Sequence, residues 1–131
     1  MKTIHYQDWE RRKTYEFFSG ISNPFYMVTF RQDVTELYRY SKQQGLSFYE
    51  SMIWACTEAI NRVEAFRIAK RGEDIVELER RDPSFTDLKQ GTDRFFIVTM
   101  EHDPDLKAFC AKASKLRRTQ QAFIDPEKET D

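Results

Sequence analysis

Apolar residues recur at helical spacing between Ser47 and Val63. Phe48, Met52, Ala55, Cys56, Ala59, Ile60 and Val63 fall on one face of that helix. Ser47, followed three positions later by Glu50, has the form of a capping box, in which hydroxyl and carboxylate each satisfy a backbone N–H at the helix start. Glu58, Asn61 and Arg62 supply polar positions. The pattern predicts the best-buried helix of the fold, a core element that carries no chemistry by itself.

The rest of the chain is read around it. Residues 3–8 suit a short edge strand. Trp9 to Phe18 predicts a helix with its aromatics inward and Asp8 as N-cap. Ser19-Gly20 ends it and Ser22-Asn23-Pro24 makes a turn. Phe25 to Phe30, rich in β-branched and aromatic residues, predicts a strand. Asp33 to Gln44 predicts a helix with Val34, Leu37 and Tyr38 inward and Gly45 just past its end. Phe66–Lys70 and Ile75–Glu79 read as a hairpin turning at residues 71–74. Phe85–Leu88 reads as a short strand, and Phe95–Met100 as a strand covered on both faces. Asp103 is a plausible cap and Pro104 a first helical residue. Leu106, Phe109, Cys110, Ala113 and Leu116 then form the inward stripe of a helix that fades near Gln121. Residues 122–131 form an acidic, polar end without an anchoring apolar run. This order predicts one α+β domain over residues 1–131, a two-layer sandwich with helices on one face of a mixed sheet. So apolar a strand as Phe95–Met100 needs neighbours that the chain scarcely supplies. Either another copy completes the sheet or part of the domain is missing.

Composition narrows the function. A net charge of -1 argues against a dedicated nucleic-acid binder. No apolar run approaches the ~20 residues that span a membrane, and the first residues have no apolar stretch that would make a signal peptide. The two cysteines, Cys56 and Cys110, lie on apolar stripes and read as reduced core thiols. A cytoplasmic protein is expected. Eleven Phe and six Tyr leave room for an aromatic-lined pocket besides the core.

Motifs for chemistry are sparse. His5 and His102 are far apart, and no cysteine pair has zinc spacing, so no metal site is expected. His102, between Glu101 and Asp103, reads as part of a surface cluster at a helix start. Neither glycine-rich phosphate loop occurs, nor a G-x-S-x-G elbow. Lys107, Lys112, Lys115, Arg117 and Arg118 read as a solvated basic side of the last helix, with contact to an anionic cofactor as the alternative. These residues alone name no reaction.

The order of motifs says more. Trp9-Glu10-Arg11-Arg12, Phe17-Phe18, Asn23-Pro24 and the FYMVTF stretch resemble the start of the chloramphenicol acetyltransferases. The resemblance continues through Ser47-Phe48-Tyr49, Ala65-Phe66-Arg67 and Asp82-Pro83-Ser84-Phe85-Thr86, in register over nearly the whole chain. It implies a two-layer α+β trimer with active sites between subunits. It also implies transfer of an acetyl group from acetyl-CoA, as co-substrate, to a hydroxyl of chloramphenicol. In that family a histidine in an H-H-x-x-x-D-G motif is the general base that an alcohol nucleophile needs near neutral pH, and a serine helps hold the oxyanion. This sequence has no such motif, and neither histidine aligns with it. The chain therefore resembles the N-terminal part of such an enzyme, truncated before the catalytic segment. It is expected to be inactive alone, with no catalytic residue of its own. A family-derived binding or interaction protein without catalysis is the alternative. A third is an unrelated aromatic-rich domain that associates through a sheet edge.

The resemblance places one wall of an acceptor pocket. Phe18, Tyr26 and Phe95 match aromatic pocket positions, with plain core packing the alternative for each. Ser22 stands where an aliphatic residue is common and Pro24 where a small residue can sit, so the acceptor is open. Tyr49 matches a position near the CoA site, and Ser47 replaces a residue that is lysine in some members. Arg11 matches an arginine that pairs with the aspartate of the absent motif. Either it is buried, and losing that partner costs about 3–5 kcal/mol, or it is simply exposed.

Overall fold

A computed structural model of the chain describes residues 1–127. The last part of the expected polar end, residues 128–131, lies outside the described residues. The elements in order are β1 (Lys2–Thr3), a 3-10 turn (Tyr6–Asp8), α1 (Arg12–Ser19), α2 (Thr35–Gln43), α3 (Phe48–Asn61) and α4 (Glu64–Arg67). Then come β2 (Ile68–Arg71), β3 (Asp74–Glu77), β4 (Ser84–Leu88), β5 (Phe95–Thr99) and α5 (Leu106–Thr119). The class is α+β, as expected. The described strands pair only antiparallel, and they form two sheets where one mixed sheet was expected. The chain divides into two compact units, residues 1–33 with 64–79, and residues 34–63 with 80–131.

The first unit is built on a three-stranded sheet, ordered β1-β3-β2. Arg71 pairs with Asp74, so the hairpin turns on Gly72 and Glu73 alone. Gly72 has φ +59, a conformation that a side chain would strain. Phe66 and Arg67 belong to α4 instead of the hairpin. The Arg67 guanidinium donates to the Leu78 carbonyl at 3.2 Å and to Glu77 at 2.6 Å, clasping the hairpin where β3 ends. Ahead of α1, only residues 2–3 are strand, and the chain then turns at Tyr6–Asp8. Helix α1 starts at Arg12, with Arg11 and no side-chain cap at the position expected of Asp8. The Asp8 carboxylate is held by His5 instead, at 2.7 Å. The stretch from Phe25 to Phe30 is not a strand. It has no ladder partner, and all its side chains are exposed.

The second unit packs α3 between α2 and α5 over the β4–β5 hairpin. Helix α2 closes with Gly45 at φ +66. The Leu46 N–H reaches the Ser41 carbonyl at 2.8 Å, and the Gly45 N–H reaches that of Lys42 at 3.2 Å. This crossed pair is the Schellman closure that a glycine permits. Of its expected inward residues, Val34 and Leu37 are half-buried and Tyr38 is exposed. The stripe of α5 is inward as read, with Phe109, Cys110 and Ala113 buried against Met100, Ile53 and Trp54. Its cap is Asp105, whose carboxylate accepts the Ala108 N–H at 2.8 Å. Asp103, the expected cap, accepts the Asp105 N–H and the Lys112 ammonium instead.

Three expectations for this unit are corrected. First, the buried residues of α3 are Glu50, Ser51 and Thr57, while Cys56, Ala59, Ile60 and Val63 of the apolar stripe are exposed. The polar face is buried because both neighbouring helices offer it partners: Ser114 and Arg117 of α5 meet Glu50, the Ser41 hydroxyl of α2 donates to that of Ser51 at 2.9 Å, and the Cys110 thiol lies 3.9 Å from it. Cys56 is therefore no core thiol, whereas Cys110 is. Second, β5 is covered on one face by burial of Phe96 and Val98, while Phe95 is exposed. Third, the stretch after α5 is anchored at Phe123. The Ile97 N–H donates to the Phe123 carbonyl at 2.8 Å, and the Phe123 ring meets Phe95 edge-on at 5.5 Å.

Candidate functional site

In the first unit, aromatic rings gather beside the start of α1. Trp9 and Tyr15 lie 5.7 Å apart, and Tyr6 closes the triangle at 6.4 and 6.3 Å. Successive turns bring them together: Trp9 follows the 3-10 turn, and Tyr15 sits one helical turn after Arg11, whose carbonyl its N–H reaches at 2.9 Å. Trp9 and Tyr15, with Arg11, Phe18, Pro24, Tyr26, Ala65 and Ile68, line a pocket of about 430 Å³. That volume suits a small molecule, and the walls offer ring faces and one cation.

Four residues marked in the sequence meet in this pocket: Phe18, Pro24, Tyr26 and Arg11. Phe18 and Tyr26 are exposed, so plain core packing does not describe them. Arg11 is exposed too. Its guanidinium has no hydrogen bond or ion pair among the described residues, which decides between the two readings left open for it. Ser22 is exposed and does not line the pocket. Trp9 and Tyr15 were missed as lining residues, since their spacing reads as core. The signal for them was the density of aromatic residues ahead of Phe18, not any motif.

Phe95 and Tyr49 belong to the second unit. Phe95 stands at the start of β5 against Phe123. Tyr49, in the first turn of α3, donates its hydroxyl to the Thr86 carbonyl at 2.6 Å and lies edge-on to Phe85 at 6.1 Å. Its polar tip is thus committed, and a half-exposed ring is what it offers a ligand.

Two charged clusters in this unit went unread. The Arg117 guanidinium donates to Glu50 at 2.6 Å and through two nitrogens to Asp87. The Ser114 hydroxyl adds a bond to Glu50 at 3.0 Å. Glu50 is 0% exposed, so its expected reach back to the Ser47 N–H is replaced by these partners. The Ser47 half of the cap does form, accepting the Glu50 N–H at 3.3 Å. The bond to Asp87 first, and that to Glu50 after a desolvation cost, hold Arg117 more firmly protonated than usual. Arg117 is therefore part of a buried ion network and no member of a solvated basic face. The second cluster corrects His102, which is 8% exposed. Its Nε2 lies 2.7 Å from Glu58, and its backbone N–H donates to Asp82 at 2.8 Å. The His102 bond lowers the Glu58 carboxyl below its ordinary range, against a desolvation that would raise it. Neither His5 nor His102 lines the aromatic pocket. Among the described residues no cluster of three or more His, Cys, Asp or Glu could hold a metal ion, and no helix is long and apolar enough to cross a membrane.

The fold is α+β, and its first unit carries an aromatic-lined pocket. Comparison with known proteins names the class. A family model for chloramphenicol acetyltransferase matches residues 1–125, and the chain belongs to that family. It is 27% identical over 108 residues to Chloramphenicol acetyltransferase 2 of Escherichia coli, covering 82% of this chain and 51% of the relative. It is 25% identical over 107 residues to the Chloramphenicol acetyltransferase of Staphylococcus aureus, covering 81% and 49%. A solved chloramphenicol acetyltransferase superposes with a TM-score of 0.84 at 22% identity, over 92% of this chain and 57% of that one. The chain thus spans about half the length of the curated relatives it matches.

Proposed function

We propose that this chain carries the acceptor-binding wall of an acyltransferase of the chloramphenicol acetyltransferase type. Its acceptor is chloramphenicol or a similar aromatic alcohol, and acetyl-CoA is the acetyl donor. The observation that carries the reading is the convergence of Phe18, Tyr26 and Arg11 on one aromatic pocket. An aromatic acceptor gains from ring contacts there, and its polar groups can meet the unpaired guanidinium. Tyr49 remains the contact for the CoA moiety, through its ring. Ser22 and Phe95 remain acceptor contacts in the complete site, which in this family resemblance is shared between subunits of a trimer.

Acyl transfer needs a base within reach of the acceptor hydroxyl. The two histidines are engaged elsewhere, His5 with Asp8 and His102 with Glu58. Neither is a lining residue of the pocket, and the reading for this chain alone is binding without catalysis. The same observation favours the second reading, a family-derived binding protein. A cytoplasmic location is part of the proposal.

Trp9 lines the pocket and makes the test direct. Chloramphenicol is expected to quench its fluorescence saturably, with no CoA thiol released when acetyl-CoA is added. Absence of saturable quenching would remove the acceptor-wall reading. Thiol release that depends on chloramphenicol would overturn the inactivity, and His102→Ala would be the first variant to assay.

A further inference from the structure

The second unit has a pocket of its own, between the β4–β5 hairpin and the end of α5. It encloses about 740 Å³, room for a ligand of nucleotide size. Strand alternation places Phe85, Asp87 and Lys89 on one face of the hairpin, and Asp87 on that face meets Arg117 of α5. Lys89, next on the face, and Arg118, next along α5, both line the pocket. Neither the Lys89 ammonium nor the Arg118 guanidinium has a hydrogen bond or ion pair among the described residues. Asp87 is the one carboxylate in the lining, and Arg117 binds both its oxygens. Counting Glu50, which Arg117 also binds, two carboxylates stand against three cations, so the pocket keeps an excess of positive charge. Phe96, paired with Asp87 across the hairpin and buried, adds an apolar part to the wall.

We infer that this pocket binds an organic phosphate, with Lys89 and Arg118 as its anion contacts. Both cations start from a fixed backbone. The Lys89 N–H donates to the Arg94 carbonyl at 2.8 Å, and the Lys89 carbonyl accepts the Thr92 N–H at 3.0 Å across a turn in which Gly91 has φ +76. The end of α5 is tied down by Gln120, whose amide donates to the Ile97 carbonyl at 2.7 Å. A ligand therefore orders two side chains and no loop, which keeps the cost of binding small. An ammonium and a guanidinium together hold a phosphate by point charge and by fork. Arg118 lies in the last turn of α5, where the negative helix end offsets part of its charge. Lys89 on the hairpin has no such offset, so an anion needs both. A phosphate carries enough charge to meet two cations, whereas a single carboxylate leaves one of them unpaired. A long polyanion is disfavoured by the net charge of -1. Coenzyme A and a free nucleotide share the required chemistry. The inference rests on the second unit and not on the acceptor pocket.

The test titrates the full chain with pyrophosphate, ADP and coenzyme A in a calorimeter at low ionic strength. Saturable binding is expected, and added salt should weaken it. Lys89→Gln and Arg118→Gln replace exposed side chains, where the fold is not at stake. Each is expected to raise the Kd for pyrophosphate about tenfold. Lys115→Gln, exposed on the same helix but outside the pocket lining, is expected to leave it within about twofold. Coenzyme A binding tighter than ADP by about tenfold or more would make the acetyl donor the source of the phosphate, and a smaller difference a free nucleotide. Either result supports the site. No saturable binding of any of the three, an unchanged Kd in both pocket variants, or a loss with Lys115→Gln as large as with Lys89→Gln would overturn the inference. Trp9 quenching by chloramphenicol reads the other unit, so failure of either proposal leaves the other standing.

Discussion

Arg11 and Arg117 carry the same charge and have opposite surroundings. Arg11 is exposed without a partner among the described residues, while Arg117 bridges two carboxylates, one of them fully buried. Arg11→Ala is therefore expected to change folding stability by no more than about 0.5 kcal/mol, measured by urea unfolding. It should still weaken chloramphenicol binding if the guanidinium meets the acceptor. Arg117→Met leaves Glu50 buried and uncompensated, and should cost about 3–5 kcal/mol. The double variant with Glu50→Gln should recover part of that loss. At the pocket, Phe18→Ala removes one ring of the wall and should raise the Kd for chloramphenicol about tenfold in the Trp9 titration.

At the scale of elements, α3 is tied to the segment between β5 and α5 by Glu58 and His102. Glu58 titrates below its ordinary value of 4.5 in the folded chain, because His102 bonds its charged form. A depressed carboxyl contributes stability that is present above the unfolded value and lost as pH falls through the folded one. Unfolding free energy is thus expected to fall more steeply for the parent than for Glu58→Gln below about pH 4.5. Parallel curves in denaturant titrations across that window would show that the pair does not couple to folding. The Schellman closure of α2 gives a second expectation. Gly45→Ala forces a side chain into positive φ and should cost about 1 kcal/mol, although nothing lies within 4 Å of the added Cβ.

At the scale of the whole molecule, exposed apolar surface dominates. Residues 25–30 and the outer stripe of α3 each present side chains that a folded domain ordinarily covers. The chain alone is expected to self-associate at high concentration. Met27→Lys should raise the concentration at which light scattering appears, because a charge in an extended apolar segment opposes pairing. A monomer that stays clear without the substitution would contradict this.

Much of this was legible in the sequence. Local chemistry determined the α+β class, the glycine that closes α2, the serine cap of α3, the inward stripe of α5 and the hairpin that turns about Gly72 and Glu73. Each follows from periodicity or from a conformation that few residues adopt, and both are written within a few positions of the chain. The order of motifs also carried the family, and with it Phe18, Tyr26 and Arg11. Only tertiary structure decided which face of α3 is buried, because that depends on Ser41 of α2 and on Ser114, Arg117 and Cys110, the last three some sixty residues away. It moved His102 from a surface cluster into a buried pair with Glu58, and it added Trp9 and Tyr15 to the pocket. It also left Phe25–Phe30 unpaired. A strand is made by its neighbour's hydrogen bonds as much as by its own side chains, and no local pattern states whether that neighbour is present.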